Sequence, residues 1–153
     1  MDPIIARAQE NDLPAILELQ KLAFQSEALI YGACAVSPLS QTMESIKNEY
    51  RSKTFLTMTL NGRLVGSIRA SETAGVCCLE KLVVHPIVQD RGFGGQLIDA
   101  AERVFSSAKK YELMTGQKSE KNIHLYTKHG YRIVREEAAS GGTVMVWMEK
   151  AGE

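Results

Sequence analysis

The stretch Gln89-Asp90-Arg91-Gly92-Phe93-Gly94-Gly95 puts three glycines into four positions, between an apolar run (LVVHPIV) and a helical pattern (QLIDAAERVFSSA). Glycine loses more backbone freedom on folding than any other residue, so the cluster implies a special conformation or a close neighbour. A helix N-terminus carries unpaired N–H groups and a partial positive charge, which together favour anions such as phosphate. Two familiar phosphate loops fail here on particular letters. The dinucleotide pattern G-x-G-x-x-G needs glycine where the chain has Leu97. The Gly-Lys-Ser/Thr ending of a P-loop is interrupted by Gln117 in Gly116-Gln117-Lys118-Ser119. A tight strand-to-helix turn with no ligand remains the bland alternative.

Around this loop the patterning predicts the order βααβββαβαββ, a mixed α/β fold with a strand–loop–helix–strand unit at its centre. Residues 3–9 read as a first strand, followed by a helix capped by Asn11 or Asp12 with Leu13, Ile16, Leu17, Ala23 and Phe24 on one face. A second helix covers about 40–51. Strands 54–60, 63–70 and 76–85 follow, the first two joined by Asn61-Gly62, a strong hairpin signal. After the glycine loop, Leu97, Ala101, Val104, Phe105 and Ala108 form a helical stripe. A strand at 111–116, a helix ended by Gly130, and strands 131–136 and 143–149 complete the chain.

Length and composition narrow the function classes. The 153 residues suit one domain, and 18 basic against 18 acidic side chains argue against a nucleic-acid binder. The N-terminus lacks the basic and apolar regions of a signal peptide, and no apolar run reaches membrane-span length. The three cysteines are odd in number, and adjacent Cys77 and Cys78 point to opposite strand faces, so no disulfide framework is expected. The expectation is a cytoplasmic protein.

Three segments in order resemble the GNAT superfamily of acetyl-CoA-dependent N-acetyltransferases. Gln89-x-x-Gly92-x-Gly94 matches the (Arg/Gln)-x-x-Gly-x-(Gly/Ala) signature. LEKLVVHP is similar to the family's fourth strand, and NIHLYTKHGYR to its Asn…Leu-Tyr-x-Lys-x-Gly-(Phe/Tyr) helix. The opening ARAQENDLPAILEL also fits, so the resemblance covers essentially the whole chain. It implies a mostly antiparallel central sheet flanked by helices. It further implies a bulge near Leu82, Val83 and Val84, and a fourth strand splayed from the fifth so that pantetheine pairs with free backbone groups. The amides of Gln89, Asp90, Arg91, Gly92, Phe93, Gly94 and Gly95 would hold the CoA pyrophosphate. Arg91 either contacts phosphate or is solvated.

Acetyl transfer to an amine requires loss of an amine proton, a donor to the oxyanion and an acid for the leaving thiolate. The resemblance makes Tyr126 the acid, with packing as its ordinary alternative. Asn122, four residues earlier and on the same helix face, would contact the cofactor arm, and Lys128 either touches phosphate or lies on the surface. Glu80 is the candidate base, directly or through a water, sharing a face with Leu82 and Val84 unless the bulge intervenes; a solvent-facing carboxylate is its rival reading. His85 is the reserve base. His124 and His129 are five apart and share no helix face, so no metal site is expected. Cys78 reads as a small buried side chain rather than a nucleophile. Trp147, Met145 and Met148 read as core or interface.

The resemblance further implies that the acceptor meets 26–42, here including Glu27, Tyr31 and Gln41, and Glu27, Glu44 and Glu80 would suit a cationic amine. A small amine, an antibiotic amine, or a protein N-terminus or lysine stay open. Two rivals accompany this reading. A non-catalytic acyl-CoA-sensing module would bind acetyl-CoA without turnover, and a nucleotide-binding enzyme would be stabilised by NAD or ATP instead. A homodimer through the apolar last strand TVMVWM is a further expectation.

Overall fold

A computed structural model describes residues 2–25, 41–139 and 142–152. Strand β1 (Ile4–Arg7) leads through a short 3-10 turn into helix α1 (Leu13–Ala23), and helix α2 (Met43–Ser52) precedes the meander β2 (Thr54–Leu60), β3 (Arg63–Thr73) and β4 (Val76–Val84). Helix α3 (Phe93–Val104), strand β5 (Lys110–Gly116), helix α4 (Glu120–Lys128), and strands β6 (Arg132–Ala138) and β7 (Val144–Ala151) follow. Among the described residues, the predicted order of helices and strands is the observed one.

Local chemistry accounts for the boundaries. Asn61-Gly62 and Ala74-Gly75 each hold two successive positive φ angles (54° and 79°, 52° and 83°), which twist the chain as a two-residue hairpin requires. The Thr42 hydroxyl caps α2 by accepting from the Ser45 N–H at 3.1 Å. Pro86 stops β4, and Gly130, at φ 96°, ends α4. Helix α3 ends earlier than its apolar stripe suggested. Its buried positions are Phe93, Gly95, Leu97, Ile98, Ala100 and Ala101, and Val104 is 39% exposed because the chain leaves the helix there.

The seven strands form one sheet in the order β1-β2-β3-β4-β5-β7-β6. All pairs are antiparallel except β4–β5. One face packs Ala8, Leu13, Ile16, Leu17, Ile46 and Phe55 beneath α1 and α2. The opposite face packs Leu79, Leu97, Ile98, Leu113, Tyr126 and Tyr131 beneath α3 and α4. Met148 is fully buried there, whereas Trp147 sits half-exposed, its Nε1 donating to Glu137 at 2.6 Å and its ring covered by Arg135 at 4.5 Å. No helix among the described residues is long and apolar enough to cross a membrane.

Candidate active site

The β4–β5 pairing covers three residues only: Val76 with Lys110, Cys77 with Tyr111 and Cys78 with Glu112. Beyond them β4 continues against β3, and β5 continues against β7, so the sheet parts between Leu79–Val84 and Leu113–Gly116. The parting follows a bulge. Ser67 faces Val83 but Arg69 faces Glu80, so one β3 residue opposes Lys81 and Leu82 together. Lys81 takes a left-handed φ of 50° there. The extra residue lies just before the expected 82–84 stretch, and it resets the alternation. Glu80 and Lys81 both turn to the α1/α2 side, where they meet Lys53 and Glu49. Leu82 and Val84 turn to the α3 side, near Gly94. Glu80 therefore does not share a face with Leu82 and Val84.

Past Cys78 the β4 edge that faces β5 carries no β4–β5 ladder. The His85 N–H donates to Val65 O at 2.8 Å, which by antiparallel alternation aims Val83 at β3 and Val84 at the gap. The Val84 carbonyl accepts from the Gln89 side chain at 3.0 Å, tying the loop to the strand end.

The glycines have separable reasons. Gly92, the α3 N-cap, stands at φ 82°, and a Cβ there would meet nothing within 4 Å; conformation alone demands glycine. Gly94 and Gly95 make room for α4. A Cβ on Gly94 would come within 3.1 Å of Leu125, and one on Gly95 within 2.4 Å of His129 Nε2. His129 in turn lies 3.3 Å from Asp99, so the C-terminus of α4 rests directly on α3. The amides of the first α3 turn have no acceptor within the helix, and this turn lies beside Leu82 and Val84 of β4. Gly92→Ala should lower stability by about 1 kcal/mol, a fall in Tm of about 2–4 °C for a chain of this size. Thermal denaturation checks this, and an unchanged Tm would contradict the strain argument.

On α4, Asn122 lies against β5, its amide 3.5 Å from the Thr115 hydroxyl. Tyr126, one turn on, is buried with its ring edge-on to Tyr131 at 6.3 Å. Arg91, Asp90 and Lys128 are exposed. Lys121, which the motif did not single out, brings an ammonium to the loop, 3.0 Å from Asp90 and 3.4 Å from Gln89.

The acceptor-side residues are dispersed. Glu27 and Tyr31 fall outside the described residues, and Glu44 is exposed on the first turn of α2. Gln41 is part of a polar hub that sequence reasoning missed. Its amide donates to Glu49 and to the Ser45 hydroxyl at 3.1 Å, and its carbonyl accepts from Gln20 at 2.9 Å. Arg69, 1% exposed, donates to Glu49 at 2.9 Å and Gln20 at 2.6 Å and stacks on Phe55 at 4.6 Å. Lys53 binds Glu49 at 3.1 Å and Glu80 at 2.9 Å. Burial alone would raise the Glu49 carboxyl, but Gln41, Arg69, Lys81 and Lys53 hold it down at about 2. Burial lowers Lys81, with Arg69 adding to the effect. The two glutamates thus lie among three cations, not in an acidic pocket. A faint signal existed: Glu49 and Lys53 are spaced i,i+4, and Arg69 is the one charged residue in the stretch 64–71.

His85 is engaged as an acceptor, its Nδ1 taking the Ile87 N–H at 3.2 Å. The Cys78 thiol is pushed up to about 11, first by burial and then by Glu80 and Glu112, which keeps it from thiolate chemistry near neutral pH.

A mixed sheet that parts at its one parallel pair, with a glycine-rich helix N-terminus beside the gap, is the N-acetyltransferase fold. The sequence profile of the Acetyltransferase (GNAT) domain family matches residues 23–151, and the chain belongs to that family. It is 25% identical over 130 residues to UPF0157 protein YqkA of Bacillus subtilis, covering 85% of this chain but spanning only 37% of that relative. The fold is shared with PaiA N-acetyltransferase of Thermoplasma acidophilum in complex with coenzyme A (21% identity, 99% of each chain, TM-score 0.83). It is shared too with the ribosomal-protein-S18-alanine N-acetyltransferase of Escherichia coli (14% identity, 98% and 94% of the chains, TM-score 0.82).

Proposed function

We propose that the protein transfers the acetyl group of acetyl-CoA directly to a primary amine in a ternary complex. The observation that carries this reading is the β4–β5 gap, where the ladder stops after three pairs and the first turn of α3 lies beside Leu82 and Val84. An extended pantetheine arm would pair with the free edge of β4 in the manner of an added strand, and its pyrophosphate would meet the amides of 89–95. The amine nitrogen attacks the thioester carbonyl carbon, with its proton passing to Glu80 directly or through a water. A backbone N–H at the bulge stabilises the tetrahedral oxyanion. As the C–S bond breaks, the CoA thiolate takes a proton from Tyr126. Asn122 supports the cofactor arm from the same face of α4 as Tyr126.

CoA release, followed with a thiol reagent across a panel of small amines, amino acids and peptides, tests this function. Amine-dependent release well above hydrolysis is the expected result. Stabilisation by acetyl-CoA with no turnover on any amine would instead support a sensing module, and stabilisation by ATP or NAD alone would sink both readings.

A further inference from the structure

We propose that Glu49 is a positioning residue for the oxyanion amide, holding the β4 bulge in shape through the ammonium of Lys81; this rests on the acetyltransferase reading above. Among the described residues, four that are not glycine have positive φ. Asn61 and Ala74 lie in hairpin turns and Asp90 in the glycine loop, which leaves Lys81 as the one inside a strand. A lysine adopts this conformation at a cost, and such strain persists only where the surroundings hold it.

What holds it is visible. Lys81 Nζ binds both Glu49 carboxylate oxygens, at 3.1 Å each. The same carboxylate takes the guanidinium of Arg69, which on β3 stands beside the register shift opposite the bulge. One α2 side chain therefore grips both strands at the point where the ladder breaks. Glu80, the residue before Lys81, is tied to α2 as well, through Lys53. Glu49 is itself kept in place by Gln41 and by Arg69, whose other nitrogen is locked on Gln20 at 2.6 Å. No atom of this clamp needs to touch the substrate: its effect is transmitted through the backbone of 81–83, whose N–H direction the bulge sets.

The test uses acetyl-CoA carrying an isotope label at the thioester carbonyl, bound to the intact chain, with infrared detection of the carbonyl band and calorimetric measurement of CoA affinity. A donor on the carbonyl moves the band to lower frequency. Lys81→Met removes the ammonium yet still needs positive φ, so it should lose most of that downshift while CoA affinity changes little. Lys81→Gly also removes the ammonium but takes positive φ freely, so it should keep the downshift. Glu49→Gln should behave like Lys81→Met and be restored by adding Lys81→Gly. If Glu49→Gln does not fold, the two Lys81 variants, which leave the Glu49–Arg69 pair intact, decide alone. A band unchanged in Lys81→Met, or lost equally in Lys81→Gly, overturns the clamp and leaves the acetyltransferase reading standing. Failure of the wild-type chain to bind acetyl-CoA overturns both.

Discussion

Tyr126→Phe should slow acetyl transfer by about 10²-fold or more while leaving acetyl-CoA affinity nearly unchanged. The reason is proton supply. A departing alkyl thiolate is a poorer leaving group without an acid, and the phenol of Tyr126 is the acid this reading provides. The substitution keeps the ring, and with it the edge-on contact with Tyr131 in the buried cluster shared with Phe93 and Leu97. Folding should therefore survive, which separates a chemical loss from a structural one. The measurement is kcat and KM for acetyl-CoA with whichever amine the wild type turns over, alongside thermal denaturation. A drop in kcat with KM held is the expected pattern. Undiminished kcat would remove Tyr126 from the chemistry and leave it a packing residue.

The second large effect is on stability in acid. Glu49, ordinarily 4.5, is held at about 2 in the folded protein. Its folded value is depressed, so its contribution is fully present above the unfolded value and is lost as pH falls from about 5 towards 2. Integrated over that window the linkage amounts to something on the order of 3 kcal/mol. Glu49→Gln should thus be less stable than wild type at neutral pH, because Arg69 is left buried without its carboxylate; breaking such a pair costs about 3–5 kcal/mol. The variant should also lose much of the wild type's decline between pH 5 and 3. Urea midpoints across a pH series read both effects. Parallel pH profiles for the two proteins would mean that the hub does not couple folding to protonation of Glu49.

Much of the architecture was legible because it is written in adjacent letters. Asn61-Gly62, Gly75, Pro86 and Gly130 each terminate an element by constraining φ or removing a donor, and the structure places turns or ends at all four. The loop of 89–95 was legible as a strand-to-helix junction for the same reason. Why its glycines are there was only half legible. Gly92 obeys a backbone rule, but Gly94 and Gly95 answer to Leu125 and His129, some thirty residues onward, and no local pattern announces a helix passing that close. Parity of side chains along β4 was computable only up to the bulge, since a single extra residue sends Glu80 and Leu82 to opposite faces.

The sequence by itself determined the order of elements, the glycine loop as the start of α3 and the helix that carries Asn122 and Tyr126, because propensity, turn chemistry and motif spacing act over a few residues. Only the tertiary structure decided where the sheet parts, which way Glu80 faces and that Gln20, Glu49, Arg69 and Lys81 converge. Those residues are separated by 20 to 49 positions where they touch. Their meeting depends on two helices laid across a sheet, and a buried guanidinium can gather such partners only after the chain has closed around it.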